Sequence, residues 1–201
     1  MDEVCKKPWS VPSFSPYIFN LGDGADTIFD SDNMAGNINT LKFGAGISAS
    51  DITLSRSGDY DLILGINGTS DQVKIQNWGN ETRYRIERVE FADGTVWDAA
   101  QVQSQITAFP IVGTEAADTL RAWPDENATL RGLGGNDTLY GNSGKDILVG
   151  GTGNDTYLFN LGDGQDTISD SDITAGNLDT IRFGVVIYTN YFTHSHAAIS
   201  G

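Results

Sequence analysis

Residues 132–158 read GLGGNDTLY, GNSGKDILV, GGTGNDTYL, one nine-residue phrase written three times without a gap. Nothing else in the chain narrows its fold so far. Each phrase has a Gly-rich start, an Asp in its sixth place (Asp137, Asp146, Asp155) and a large apolar residue in its eighth (Leu139, Leu148, Tyr157). Glycine lets a chain turn through positive φ and lets a second backbone come close, while a short strand opening at the Asp sends its eighth-place side chain inward. Each phrase is therefore a loop and a strand, half of a turn, and a full turn takes 18 residues. Stacked turns set phrase n beneath phrase n+2, which brings Asp137 near Asp155 on one edge and leaves Asp146 on the other.

Carboxylates stacked one strand spacing apart, about 4.8 Å, repel unless a cation lies between them. Nearly every donor on offer is a carboxylate or a backbone carbonyl freed by the glycines, so the ion is hard and takes six or more oxygens. Calcium fits and zinc does not. Magnesium fits poorly, because a carbonyl-lined cleft does not supply its tight octahedron.

The charge balance agrees. Net charge is −15, and 21 of the 27 acids are Asp, the short side chain that suits turns and fixed ligand positions. Several bound divalent ions would offset most of that charge, so the acidity reads as a metal requirement. Only 12 Lys and Arg are present and they are scattered, which excludes a nucleic-acid footprint. No run approaches the roughly 20 apolar residues of a membrane span. The lone cysteine, Cys5, excludes an internal disulfide framework.

The three phrases resemble the RTX family, the haemolysin-type calcium-binding nonapeptide repeats, whose signature is G-G-x-G-x-D-x-U-x. Residues 150–158 match it as far as Tyr157, and the neighbouring phrases keep the Gly-Asp-aliphatic skeleton. The resemblance implies an all-β fold, a parallel β-roll or calcium-binding solenoid, binding several Ca2+ ions through sixth-place Asp side chains and loop carbonyls. One ion is expected between the loop Gly132, Leu133, Gly134, Gly135, Asp137 and the loop Gly150, Gly151, Thr152, Gly153, Asp155. Gly141, Asn142, Ser143, Gly144 and Asp146 supply the other edge, joined by Gly162, Asp163, Gly164 and Asp166. Asp118, Asp179, Asp23 and Asp26 complete the expected ligands. The resemblance also implies an extracellular setting, reached by one-step secretion with a signal that is not N-terminal.

A second, longer repeat organises the chain. YIFNLGDGADTIFDSDNMAGNINTLKFG from Tyr17 recurs as YLFNLGDGQDTISDSDITAGNLDTIRFG from Tyr157, at an offset of 140 residues. The expected domains follow from it: an extended arm over 1–16, terminal turns of a first roll over 17–50, an antiparallel capping region over 51–106, a linker over 107–112, a second roll over 113–184 and a divergent tail over 185–201. Within 51–98, alternation in DITLSR, YDLILGI, DQVKIQNW and RIERVEFADGTVW, broken at Ser57-Gly58 and Asn67-Gly68, predicts strands joined by tight turns. This stretch resembles the haemolysin-type calcium-binding-related region, including its FADGTVWD ending, and solenoid ends need a cover. Asp98 is the expected N-cap of one short helix, AAQVQSQI.

Two degraded phrases precede the clean ones. GTEAADTLR keeps Asp118 and Leu120, whereas AWPDENATLR has Pro124 and an extra residue and keeps only Leu130. Asn39 stands where the later copy has Asp179, weakening metal there. The Asp-Ser-Asp runs at Asp30 and Asp170 read as solvated turns ahead of peripheral calcium ligands. His194 and His196 lie in the divergent tail and read as tail residues ahead of a zinc site.

The function expected is a calcium-binding module that folds on metal, a piece of a larger secreted bacterial protein. Two alternatives are an ester or lactone hydrolase using an open calcium near Asp166 and Asp179 as Lewis acid, and adhesion or carbohydrate binding through the cap, the latter depending on Trp78. No nucleophile motif supports the first. Exposed roll edges predict head-to-tail or swapped self-association.

Overall fold

The computed structural model describes residues 16–31 and 36–184, and it divides into two units, Met1–Pro110 and Ile111–Gly201. The first unit opens with roll strands β1 (Tyr17–Phe19), β2 (Ala25–Ile28) and β3 (Thr40–Phe43). There follow β4 (Ile52–Ser57), β5 (Asp61–Ile66), β6 (Gln72–Ile75), β7 (Arg88–Glu90), β8 (Val96–Asp98) and helix α1 (Ala99–Thr107). They make two sheets, in the orders β1-β3-β7-β8 and β2-β6-β5-β4.

The tight turns fall near the expected breaks, with Gly58 at φ 55° and Gly68 at φ 77°, and β4-β5, β5-β6 and β7-β8 are antiparallel. Two seams differ from a purely antiparallel cap. β6 runs parallel to β2, with Ile75 opposite Ile28, and β7 runs parallel to β3, with Val89 opposite Leu41. Alternation along a strand reports which face each side chain takes, and the faces are the same whichever way the neighbour runs. The cap therefore continues both roll sheets and only then reverses direction.

Phe19 meets Phe43 edge-on at 6.0 Å, Phe43 stacks on Phe91 at 5.3 Å, and Phe91 meets Trp97 at 4.7 Å, an aromatic column across the first sheet. Asp98 caps α1: its side chain accepts from Gln101 N at 2.7 Å, and Gln101 Oε1 accepts from Asp98 N. The helix buries Val102 and Ile106. Trp78 is 0% exposed and its indole N–H donates to Gln103 Oε1. A ring so enclosed presents no face to a sugar, which removes the basis for a Trp78-dependent carbohydrate site.

The second unit is a two-sheet roll. β9 (Ile111–Val112), β11 (Thr129–Gly134), β13 (Ile147–Thr152) and β15 (Thr167–Ile168) form one parallel sheet. β10 (Thr119–Arg121), β12 (Thr138–Tyr140), β14 (Thr156–Phe159) and β16 (Thr180–Phe183) form the other. Eighth-place residues lie in register: Leu120, Leu139, Tyr157 and Ile181 on one sheet, Leu130, Leu148 and Ile168 on the other. β9 adds Ile111 below Leu130, so the first strand of this roll begins inside the stretch expected to be a linker. The core is thin, with Leu120, Ala122, Ala128, Leu130, Leu139, Leu148 and Tyr157 packed into one column.

The two copies of the long repeat end differently. Ile28, Leu41 and Phe43 are 2%, 1% and 0% exposed beneath β6 and β7, whereas their counterparts Ile168, Ile181 and Phe183 are 37%, 52% and 39% exposed.

Candidate metal centre

Two ladders of aspartates climb the edges of the second unit. On one, Asp118 N donates to Asp137 Oδ1 at 2.8 Å, Asp137 N to Asp155 Oδ1 at 2.8 Å, and Asp155 N to Asp179 Oδ1 at 2.9 Å. On the other, Ala128 N donates to Asp146 Oδ1 at 2.7 Å and Asp146 N to Asp166 Oδ1 at 3.1 Å. One oxygen of each stacked acid thus holds the turn before it. The second does not: Oδ2 of Asp137, Asp146, Asp155 and Asp166 is buried with no hydrogen-bond partner. Asp137, Asp146 and Asp155 are each 1% exposed. A buried, unpaired carboxylate oxygen costs several kcal/mol, on the order of the desolvation of a charge, and four recur in one register.

The glycines are fixed by the same oxygens. A Cβ on Gly132 would strike Asp137 Oδ2 and the Gly150 carbonyl, and one on Gly150 would strike Asp155 Oδ2. Higher in each loop the approach is backbone to backbone: a Cβ on Gly151 would meet the Leu133 carbonyl and one on Gly153 the Gly135 carbonyl. Carboxylate and carbonyl oxygens therefore converge where no side chain fits. Among the described residues there is no histidine or cysteine, so the donor set is all oxygen and suits a hard cation. His194, His196 and Cys5 lie outside the described residues.

Without a cation Asp146, Asp155 and Asp166 are held toward their protonated forms. Burial pushes Asp146 up to about 7, with the charges of Asp166 and Glu126 adding to it against the pull of the Ala128 N–H. Burial likewise raises Asp155, helped by the charges of Asp137, Asp179 and Asp170, and it raises Asp166, helped by Asp163.

The degraded phrases use other means. Asp118 Oδ2 is already taken by Thr114, accepting from its N at 2.6 Å and its Oγ1 at 2.8 Å. In the next loop Ala128 occupies the rung where an Asp is missing, and side chains tie the turn instead. Asn142 Nδ2 donates to the Ala122 carbonyl, and Ser143 Oγ accepts from Asp125 N at 2.9 Å. Glu126, 2% exposed, accepts from Trp123 N at 2.8 Å and lies close enough to act on Asp146. This buried acid was not among the expected ligands. Its only sequence signal is an acid two places before the vacant sixth position.

Asp163 and Asp23 close local turns, each with Oδ2 accepting from the backbone N of the Asn three residues earlier, at 2.6 and 2.7 Å. Gly162 and Gly164 supply φ of 98° and 104° in the loop that carries Asp163. In the first unit the loop carrying Asp23 and Asp26 is stacked on the cap, where Asp71 accepts from Gly22 N at 2.7 Å and Gly24 N at 3.2 Å. Asn39 N finds Glu87 Oε2 at 2.7 Å. Asp30, expected in a solvated turn, is instead 8% exposed and accepts from Tyr17 Oη at 3.0 Å.

Comparison with known proteins agrees with this geometry. The family model for the RTX calcium-binding nonapeptide repeat (4 copies) matches residues 125–157, over the ladders just described. The chain carries RTX calcium-binding nonapeptide repeats over these residues. The model for the haemolysin-type calcium binding protein related domain matches residues 61–101, from β5 through the first turn of α1. Iron-regulated protein FrpA of Neisseria meningitidis serogroup C is 33% identical over 121 residues, covering 59% of this chain and 10% of that protein. The chain thus spans 10% of that relative's length. The crystal structure of extracellular lipase LipA from Serratia marcescens aligns at 20% identity and a TM-score of 0.26, covering 81% of this chain and 27% of that one. The second unit, which carries these repeats, is a calcium-binding β-roll, and no described helix is long and apolar enough to cross a membrane.

Proposed function

We propose that the RTX roll is a calcium-dependent folding module belonging to a larger secreted protein. The observation that carries this is the set of four buried Oδ2 atoms with no partner at Asp137, Asp146, Asp155 and Asp166. A thin column of eighth-place side chains is set against repelling carboxylates, so the metal-free roll is the weaker state. Bound calcium supplies the positive charge that the unpaired oxygens lack, with ligands drawn from the sixth-place Asp side chains and the carbonyls of Gly132, Gly150 and their loop neighbours.

Each filled gap contributes RT ln(1 + [Ca]/Kd), about 1.4 kcal/mol at tenfold excess over Kd. Extracellular calcium modules commonly have Kd of about 10⁻⁴ to 10⁻³ M. A roll with such gaps closes outside a cell and stays slack within, which suits export as an extended chain followed by folding outside. A calcium titration by circular dichroism and calorimetry tests this: saturable binding of several ions with a gain of β signal supports it, and a full β signal for the roll in excess EGTA overturns it.

The contrast between Ile28, Leu41 and Phe43, covered by β6 and β7, and the exposed Ile168, Ile181 and Phe183 supports a second reading, association with another copy through β15 and β16. Sedimentation showing only monomer at micromolar concentration and saturating calcium would overturn that reading.

A further inference from the structure

The gaps along the roll are not equivalent. At the last rung of the first ladder, Asp155, Asp170 and Asp179 each offer a carboxylate oxygen, and these three oxygens lie within 4.8 Å of one another. Asp155 is 1% exposed and its Oδ2 has no partner. The next loop adds an amide: Asn177 Nδ2 donates to Asp179 Oδ2 at 3.0 Å, while Asn177 Oδ1 is itself buried and unpartnered. Asp170 is not a member of the nine-residue pattern. It is fixed from outside it, by Tyr157, whose hydroxyl donates to Asp170 Oδ2 at 2.6 Å and accepts from Gly150 N at 3.0 Å.

The first unit holds the same fixture without the site. Tyr17 donates to Asp30 across the same 13 residues that separate Tyr157 from Asp170. The other two acids are missing there, since Ser15 and Asn39 stand 140 residues before Asp155 and Asp179.

We propose that Asp155, Asp179 and Asp170 form one three-carboxylate cation site, the tightest among the described residues, with Tyr157 positioning its third acid. The inference rests on the roll reading above and adds to it an order of filling and a preference among ions. Ligand charge count sets affinity in oxygen sites, and three carboxylates leave a divalent ion one charge short of neutrality while matching a trivalent one. The site therefore fills before the two-acid gaps such as Asp137/Asp155 and Asp146/Asp166, and it favours a trivalent lanthanide over calcium more strongly than they do. Asp172, two residues on, is not one of the three acids whose oxygens gather there; its oxygens face Gly153 N at 3.0 Å and Thr174 N at 2.7 Å.

The test is calorimetric titration of the full chain with calcium and, separately, with terbium, for the parent and for Asp170→Asn, Asp172→Asn and Asp30→Asn. Each variant removes one charge and keeps side-chain volume, and circular dichroism at saturating calcium checks that each is folded. The expected result is that Asp170→Asn weakens the tightest class at least about tenfold for calcium and further for terbium, with the weaker classes unmoved. Asp172→Asn and Asp30→Asn then titrate as the parent does. Parent-like titration of Asp170→Asn, or an equal loss in Asp172→Asn, overturns the three-acid site and leaves the roll reading standing. A parent chain that binds neither ion overturns both.

Discussion

The backbone N–H of Asp137 donates to Oδ1 of Asp155 at 2.8 Å, while the Oδ2 atoms of both residues are buried without a partner. One carboxylate thus has two jobs, and the asparagine variant separates them. Asp155→Asn keeps an oxygen for the Asp137 N–H but removes charge from the gaps on both of its sides, since Asp155 N also rests on Asp179. The expected outcome is a rise of about tenfold or more in the calcium concentration needed to fold the roll, or about 1.4 kcal/mol. Asp118→Asn should do much less, because Asp118 Oδ2 is already satisfied by Thr114. Calorimetric stoichiometry and the folding midpoint measure both.

Chelation should divide the chain. The first unit has an aromatic column from Phe19 to Trp97, a buried Trp78 and a capped helix to hold it, whereas the second has one thin cluster of seven buried side chains and a buried Trp123. In EGTA, amide exchange in β11 to β14 should rise toward the unfolded rate while β4 to β6 stay protected. Equal loss of protection in both regions would refute this.

Leu133 holds φ 80° in the second place of its phrase, where the third clean phrase has Gly151 at φ 108°. A branched side chain in that region costs roughly 1–2 kcal/mol. Leu133 is 42% exposed, so little packing is lost on its removal. Leu133→Gly should therefore raise the melting temperature of the calcium-loaded roll, by roughly 4–8 °C for 1 kcal/mol in a unit this small. Thermal scans at fixed calcium read it out.

At the first-place glycines the change is opposite in sign. A methyl group on Gly150 lands on Asp155 Oδ2 and the Tyr157 hydroxyl. Gly150→Ala should weaken calcium binding at the Asp155 rung by tenfold or more, about 1.4 kcal/mol, and should lower stability even with calcium in excess. An unchanged titration would show that the carboxylate does not need that space.

The register of the second unit was legible because the chain repeats it: once Asp137, Asp146 and Asp155 recur at nine residues, the stacking of Leu139 on Tyr157 and Leu130 on Leu148 follows from strand geometry alone. What escaped depends on the path of loops that break the period. Glu126 reaches the second ladder only because Pro124 and an extra residue reshape its turn, and Asp170 reaches Asp155 only through a tyrosine 13 residues earlier. The parallel seams at β6 and β7 were hidden for another reason. Val73 and Val89 alternate inward as any half-buried strand residue does, and that pattern is blind to neighbour direction.

Proton and metal should compete on both ladders. Burial lifts Asp146 to about 7 and also raises Asp155 and Asp166, so the metal-free folded roll binds more protons than the unfolded chain between about pH 4 and pH 7. Stability of that form must then fall as pH rises through this window, the reverse of a salt-bridged acid, and in EGTA the roll should hold more β structure at pH 5 than at pH 7.5. Calcium reverses the slope, because the liganded acids are ionised and protons must leave for metal to bind. Its affinity should drop as pH falls from 7.5 to 5.5, with proton release on binding at the lower pH. Circular dichroism in EGTA and calorimetry in buffers of different ionisation enthalpy measure the two halves. A metal-free roll that loses structure on acidification would mean that these carboxylates are charged and satisfied without a cation.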